Sequence, residues 1–415
     1  MIAPMSQTFA RPVRRTARGL RNARGAAGVA ATVLAALALV GCSSPSSAPS
    51  PSPSTAPSTT APTPSPAPSP TPSPTPSPTP DPVQSLTLEQ RVGQLFVVGS
   101  SASSADAVTL DAVSRLAVGG VFLHGRSSAG VDATSAVVTT LTSASTSPVP
   151  VLVATDQEGG QVQVLSGPGF STMPSALQQG QLATSDLESS AATWGGELHA
   201  AGVTLNLAPV LDVPASAEAA AGNAPIGAFD REFGYDAQAV ATAGRAFADG
   251  MATASVGTVF KHFPGLGLVT QNTDTTANVT DTQTTASSPS VQAFATVIGQ
   301  GAPWVMVSSA IYTQLDPADP ALFSSSIVTD LLRGTLGFTG AVMTDDVSAA
   351  EAVAAWSPGD RAVNAIAAGC DVILVSADPT VAAEMVAAVL AKAQSDATFA
   401  ARVDEAAAHV LAAKS

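Results

Sequence analysis

Eight short apolar runs, separated by Ala-rich stretches of helical period, constrain the fold of this chain beyond residue 85. They span 95–99, 120–124, 149–156, 204–212, 257–262, 304–308, 340–345 and 371–376. A strand buried on both faces reads as a continuous apolar run, and such strands separated by helices predict a parallel sheet covered on its outer face. Eight of them suit a (β/α)8 barrel, which typically takes about 250 residues before insertions. No second Pro/Ser-rich break interrupts 85–415, so that region is expected to be a single barrel domain.

What ends the runs is more informative than the runs themselves. His124, Asp156, Asp212, His262, Ser308 and Asp345 each follow apolar residues at a strand's C-terminal end. In a barrel those ends converge on one mouth, where active sites sit. Any strand must end in something polar, so chance supplies part of the pattern. In a chain with only four His and 12% charged residues, however, this gathering of ionisable groups points to an enzyme site. The fold class alone does not fix the chemistry.

The first 82 residues are organised differently. Arg11, Arg14, Arg15, Arg18, Arg21 and Arg24 form a basic region, and 25–40 is an apolar run ending at Leu39-Val40-Gly41-Cys42. This reads as a secretory signal over 1–41. Small residues before a Cys, followed by polar chain, resemble the lipobox of bacterial lipoproteins, which makes Cys42 the expected lipidated N-terminus and membrane anchor. From 43 to 82 the chain holds 16 Pro, 12 Ser and 7 Thr. Proline fixes φ and removes donors, so 42–84 is expected to be an extended spacer, on the order of 120 Å when fully stretched. The spacer would carry an exported domain away from the membrane on its extracytoplasmic side. Downstream of Cys42 stand 11 basic and 31 acidic residues. So acidic a surface repels phosphate backbones, which argues against a nucleic-acid partner. Cys370 has no partner thiol in the folded region and is expected to be a buried structural side chain.

Three segments concentrate the chemistry. Val151-Leu-Val-Ala-Thr-Asp156-Gln157-Glu158-Gly159-Gly160 puts two carboxylates at a strand end, followed by glycines that admit close approach to the backbone. Phe260-Lys261-His262-Phe263-Pro264-Gly265 ends the fifth run with a cation and an imidazole, and a polar loop follows through Asn272-Thr273-Asp274. Ala341-Val-Met-Thr344-Asp345-Asp346 ends the seventh with paired acids, of which one should face the mouth and the other away. No metal-ligand spacing or Gly-rich phosphate loop is present, so no cofactor or metal is implied.

Taken together, DQEGG, NLAPVLDV, DREFG around Arg231, KHFPG, the LDP…PALFS…LLRGTLGF stretch and MTDD resemble glycoside hydrolase family 3 in order and spacing over 86–414. The chain is similar in particular to the single-domain bacterial β-N-acetylglucosaminidases. The resemblance implies a retaining mechanism with a glycosyl-enzyme intermediate on a carboxylate. By motif that nucleophile is Asp345, while Asp346 is expected to cap or orient its loop. Asp156, Arg231, Lys261 and His262 match family positions that hold sugar hydroxyls, and Asp212 is expected to be mainly structural. A carbohydrate substrate is implied, and a monomer is expected.

The chain also departs from the family pattern. The loop that in those relatives carries a His-Asp acid/base pair has Leu266 in place of one His and Asp274-Thr275-Thr276 in place of D-S-H. Gln161 replaces the usual Arg after DQEGG, and Ser309 stands where a His is common. General acid/base catalysis contributes about 10² to 10⁴ in rate, some 3 to 5 kcal/mol, and Thr276 cannot supply it. Asp274, His124 or an acid from another loop remain as replacements, Asp274 being preferred because carboxylic acids of raised pKa fill this role in other glycosidases. His199 and His409 are assigned no role. Two readings follow: an exported exo-glycosidase acting on wall-derived β-linked N-acetylhexosamine, or an impaired family 3 domain that binds sugar at the cell surface.

Overall fold

The computed structural model describes residues 82–415. The expected signal segment, Cys42 and nearly all of the spacer lie outside the described residues. Each of the eight apolar runs contains a strand: β1 (Phe96–Ser101), β2 (Gly120–His124), β3 (Leu152–Thr155), β4 (Leu205–Asn206), β5 (Gly257–Thr258 continuing as Phe260–Phe263), β6 (Trp304–Val307), β7 (Ala341–Thr344) and β8 (Ile373–Val375). Two strands are much shorter than their runs. Pro148 and Pro150 delay β3, and Pro209 follows closely on β4, because proline has no N–H to give a ladder.

One sheet runs β8-β1-β2-β3-β4-β5 and a second β5-β6-β7, the two segments of β5 serving one sheet each. Every pairing in them is parallel, with Phe96 opposite Ile373, Val97 opposite Gly120, Ala154 opposite Leu205, Asn206 opposite Thr258, Phe260 opposite Val305 and Trp304 opposite Ala341. Between β7 and β8 a parallel bridge pairs Met343 with Val372. There the Thr344 N–H donates to Val372 O at 2.9 Å and the Asp371 N–H to Val342 O at 2.7 Å.

A helix fills each gap between successive strands: Ala107–Arg115, Val131–Ser143, Thr184–Ala200, Ala237–Thr253, Pro289–Gly299, the π-helix Ser326–Thr335 and Pro358–Ala368, with Ala382–Ser395 and Ala397–Ala413 after β8. Strand side chains such as Phe96, Val98, Phe260 and Val305 are wholly buried, as strands sandwiched between a packed interior and a helical layer require. Phe263 of β5 meets Phe294 of Pro289–Gly299 edge to face, their centroids 5.2 Å apart at 89°, which fixes that helix against the strand. At β1 only a glycine fits: a Cβ on Gly99 would lie 2.0 Å from the Ser376 carbonyl oxygen.

Charge locks the opposite end of the strands. Asp371, just before β8 and fully buried, accepts from Val342 N at 2.8 Å, from Arg333 and Arg402 at 2.5 Å each, and from His409 Nδ1 at 3.1 Å. These bonds hold its carboxyl below the usual carboxylate range against the opposing effect of burial. They also tie the last helix to β7 and β8, which accounts for His409 as a structural group. Cys370 is buried, as expected, and burial pushes its thiol up to about 12. Among the described residues no helix is long and apolar enough to cross a membrane.

Candidate active site

At the C-terminal ends of the strands a cavity of about 370 Å³ is lined by Asp156, Arg231, Lys261, His262, Asp274, Asp345 and Asp346, over an apolar floor that includes Phe122, Leu207, Met306 and Leu374. All six residues expected from sequence to form the site therefore meet in one place. Asp156 directly follows β3, Lys261 and His262 end β5, Asp345 directly follows β7, and Arg231 and Asp274 reach in from the loops after β4 and β5. The Lys261–His262 peptide is cis, and both side chains line the cavity.

Glu158, part of DQEGG but given no role from sequence, organises the cationic side. Its carboxylate accepts from Arg231 Nε at 2.9 Å and Nη2 at 2.7 Å, a bidentate pair, and from Lys261 Nζ at 2.6 Å. Lys261 Nζ also donates to Asp156 at 2.6 Å, and Arg231 Nη1 to Pro225 O at 2.9 Å. Burial works against a charged Glu158, but Arg231 and Lys261 outweigh it and hold the carboxyl at about 2. Burial likewise opposes charge on Lys261, and Asp156 with Glu158 reverses the effect and raises it. Both cations therefore stay charged and fixed, each with donors left to face a ligand. The turn that brings Glu158 inward depends on glycine: Gly159 has φ +103°, and a Cβ there would lie 2.2 Å from Pro174 O. The signal for Glu158 was its place two residues after Asp156 on the same extended segment.

His262 is set by Asp212. Nδ1 donates to Asp212 Oδ2 at 2.7 Å, while Asp212 Oδ1 accepts from the N–H groups of His262 at 3.3 Å and Leu266 at 2.7 Å. Nε2 is left toward the mouth, 3.5 Å from Arg231 Nη2. Asp212, fully buried and not among the residues lining the cavity, thus orients the imidazole and anchors the start of the following loop.

The paired acids after β7 divide their work, although not by facing opposite ways. Strand alternation stops at Thr344, so both Asp345 and Asp346 line the cavity. Asp346 accepts from Ser348 Oγ at 2.7 Å, Ala349 N at 3.0 Å and Ser376 N at 2.8 Å, which shapes the loop and joins it to the end of β8. Its own N–H donates to Asp345 Oδ1 at 2.8 Å. Burial raises Asp345 above the usual carboxylate range, while His262, the Asp346 amide and Lys261 pull the other way.

Asp274 is an exposed residue whose carboxyl lies at the cavity wall. Partial enclosure there, together with the negative charge of Asp345, raises it to about 6. Its loop is fastened to the segment beyond Asp345, for Glu351 N donates to Asp274 O at 3.2 Å and Ala352 N to Thr273 O at 3.1 Å. His124 and Thr276 are not among the residues lining the cavity, and Leu266, where relatives have a His, is buried with its backbone bonded to Asp212 and Asn223. Ser309 is buried, and Gln161 lies outside the cavity. No cluster of metal-ligating groups occurs among the described residues.

Two carboxyl groups of raised pKa thus face a cavity whose wall carries two fixed cations, an oriented imidazole and a half-buried carboxylate. The arrangement can supply a nucleophile, a proton donor and charge-assisted hydrogen bonds to a small polyhydroxylated ligand.

Comparison with known proteins gives the same direction. Residues 87–413 match the model of the glycosyl hydrolase family 3 N terminal domain. A β-hexosaminidase of Xanthomonas campestris pv. campestris is 33% identical over 304 residues, 71% of this chain and 88% of the relative. The crystal structure of a β-N-acetylhexosaminidase from Beutenbergia cavernae superimposes with a TM-score of 0.79 at 64% identity, covering 79% of this chain and 98% of that one. A family 3 β-N-acetylglucosaminidase from a Paenibacillus species gives 0.71 at 29% identity, over 79% and 62% of the two chains. With the family model spanning nearly all of the described residues, the chain belongs to glycosyl hydrolase family 3.

Proposed function

We propose that the protein is a retaining exo-glycosidase that removes terminal β-linked N-acetylhexosamine from envelope glycans. The observation that carries this reading is the pairing of Asp345 and Asp274, both raised, at one cavity opposite the Arg231–Glu158–Lys261 cluster. The names of the relatives supply the sugar class. The two sheets are read as arcs of one closed (β/α)8 barrel, joined through β5 and through the Met343–Val372 bridge, with the cavity as its mouth.

In the first step the Asp345 carboxylate attacks the anomeric carbon while Asp274, protonated, gives its proton to the departing oxygen. In the second, Asp274 takes a proton from water as that water attacks the glycosyl–Asp345 ester, and both carboxyls return to their starting states. A pKa of about 6 suits a group that must both give and take a proton near neutrality. Asp156, Arg231, Lys261 and His262 hold the sugar hydroxyls, and Glu158 and Asp212 keep those groups in position. Ala349 and Ala350 add two small side chains to the lining of the same cavity.

Export as a lipoprotein anchored through Cys42, with the spacer carrying a monomeric domain toward the wall, completes the reading. It is tested by whether Cys42→Ala moves the protein out of the membrane fraction.

Turnover of an aryl β-N-acetylglucosaminide and an aryl β-glucoside, by the parent, Asp345→Asn and Thr276→His, tests the activity. Activated aryl groups need little acid help, so loss of turnover in Asp345→Asn supports the nucleophile independently of Asp274. No turnover by parent or Thr276→His on either sugar would refute the enzyme and favour the sugar-binding alternative, which the missing loop His motivates.

A further inference from the structure

A second cavity, of about 440 Å³, is lined by the continuation of two chain segments that also line the first and by a third segment, 172–178. Asp156 and Arg231 line the first cavity; Gly160–Gln161 and Phe229–Asp230, a few residues along, line the second. The Glu158–Arg231 ion pair fastens the two segments together between them. Thr172 and Gln178 complete its polar edge.

Its apolar lining is Met173, Pro174, Leu177 and Phe229, and Phe229 is the one aromatic side chain among the large hydrophobic residues exposed in the described region, at 39%. Exposure here does not come from a loose loop. Asn223 accepts from Ile226 N at 2.9 Å and Gly227 N at 3.0 Å, and donates to Leu266 O at 2.7 Å and Val269 O at 2.8 Å. Phe229 N bonds to Ile226 O at 3.0 Å, and Leu177 N to Asp230 O at 3.2 Å. Asp230 itself is held at φ +54°, a left-handed conformation uncommon for a residue with a side chain. The turn's backbone is therefore braced on both sides and carries the ring at the surface.

The polar groups around that ring are unspent. The side chains of Gln161, Thr172 and Asp230 are exposed and make no hydrogen bond within the described residues, and the Gln178 amide nitrogen is likewise free. An aromatic ring on a braced turn, edged by free amide, hydroxyl and carboxylate groups, is complementary to a pyranose, whose axial C–H face is apolar and whose rim carries hydroxyl and acetamido groups. Gln161 stands where relatives have an Arg, and it lines this cavity and not the first.

We propose that the second cavity is a non-catalytic carbohydrate site, which holds another sugar unit of a polymeric N-acetylglucosamine-type glycan with its apolar face on Phe229. It rests on the sugar class assigned above but not on the catalytic mechanism. It gives the enzyme a hold on polymer that a single terminal sugar does not provide.

The test uses the full-length chain carrying Asp345→Asn, titrated with a β-1,4-linked N-acetylglucosamine hexamer while excess monosaccharide fills the first cavity. Binding is expected to weaken roughly five- to tenfold with Phe229→Ala, the scale of one aromatic contact, and to fall further with Gln161→Ala added. In the Asp345 background, kcat and KM of Phe229→Ala on an aryl β-N-acetylglucosaminide should equal the parent's, showing an intact fold and first cavity. Hexamer affinity unchanged by both substitutions would overturn the proposal, as would loss of aryl turnover in parallel with hexamer binding. Absence of aryl turnover in the parent would instead count against the catalytic reading and leave the hexamer titration to decide this one.

Discussion

Replacing Glu158 by Gln removes one charge from a set that balances. In the parent, Arg231 and Lys261 are matched by Glu158 and Asp156 at 2.6–2.9 Å, with Glu158 and Lys261 side chains each only 3% exposed. Without the Glu158 charge, one buried cation is left uncompensated. Breaking a buried pair costs roughly 3–5 kcal/mol, and because the amide keeps an acceptor oxygen, the expected loss lies at the low end, about 3 kcal/mol. With a urea slope of about 3 kcal/mol per molar for a domain of this size, the unfolding midpoint falls by about 1 M. Arg231 and Lys261 lose a shared anchor, so KM on an aryl glycoside rises by about tenfold with a smaller change in kcat. The pH dependence supplies a further check. A carboxyl held at about 2 against an ordinary 4.5 stabilises the fold fully above pH 4.5 and loses that contribution as pH falls toward 2. The gap between parent and Glu158→Gln should therefore close across that interval. A urea midpoint and KM both unchanged at pH 7 would refute the view that Glu158 holds the cations.

Three other perturbations bear on the same site. Asp274→Asn should remove the limb of the kcat/KM profile that declines above about pH 6, and should lower turnover of an unactivated disaccharide by about 10² or more while sparing the first step on an activated aryl glycoside. Unchanged disaccharide hydrolysis would eliminate Asp274 as the acid. Asp345→Asn should abolish turnover yet raise the thermal midpoint more at pH 7.5 than at pH 4.5. A carboxyl raised by burial costs folding free energy once pH exceeds its unfolded value, so equal midpoint shifts at both pH values would contradict its buried, raised state. Asp212→Asn keeps the size but weakens the 2.7 Å bond to His262 Nδ1; KM is expected to rise more than kcat falls, and an unaltered KM would remove Asp212 as the orienting group.

The parallel strands were legible because burial on both faces leaves no polar alternation, and every run from 95–99 to 371–376 holds one. Their ends were less so: Pro150 and Pro209 shortened β3 and β4 by withholding N–H groups, an effect of hydrogen bonding and not of hydrophobicity. Asp156, Lys261, His262 and Asp345 could be found because strand ends converge. Arg231 and Asp274 sit on loops, where no periodicity operates; the motif resemblance alone marked Arg231, and the polar loop after the fifth run together with the resemblance marked Asp274. Glu158 escaped because its role is carried by partners 73 and 103 residues away in sequence. Asp346 was expected to turn away by alternation, but the strand had already ended.

The two hydrogen bonds that the Glu351 and Ala352 N–H groups donate to the carbonyls of Asp274 and Thr273 make the proton donor and the nucleophile parts of one mechanical assembly. The loop after β5 cannot swing outward without releasing those N–H groups to solvent. Hydrogen exchange at Glu351 and Ala352 therefore serves as a clock for how often the donor leaves its post, read from the opposite side of the cleft with no label on the donor itself.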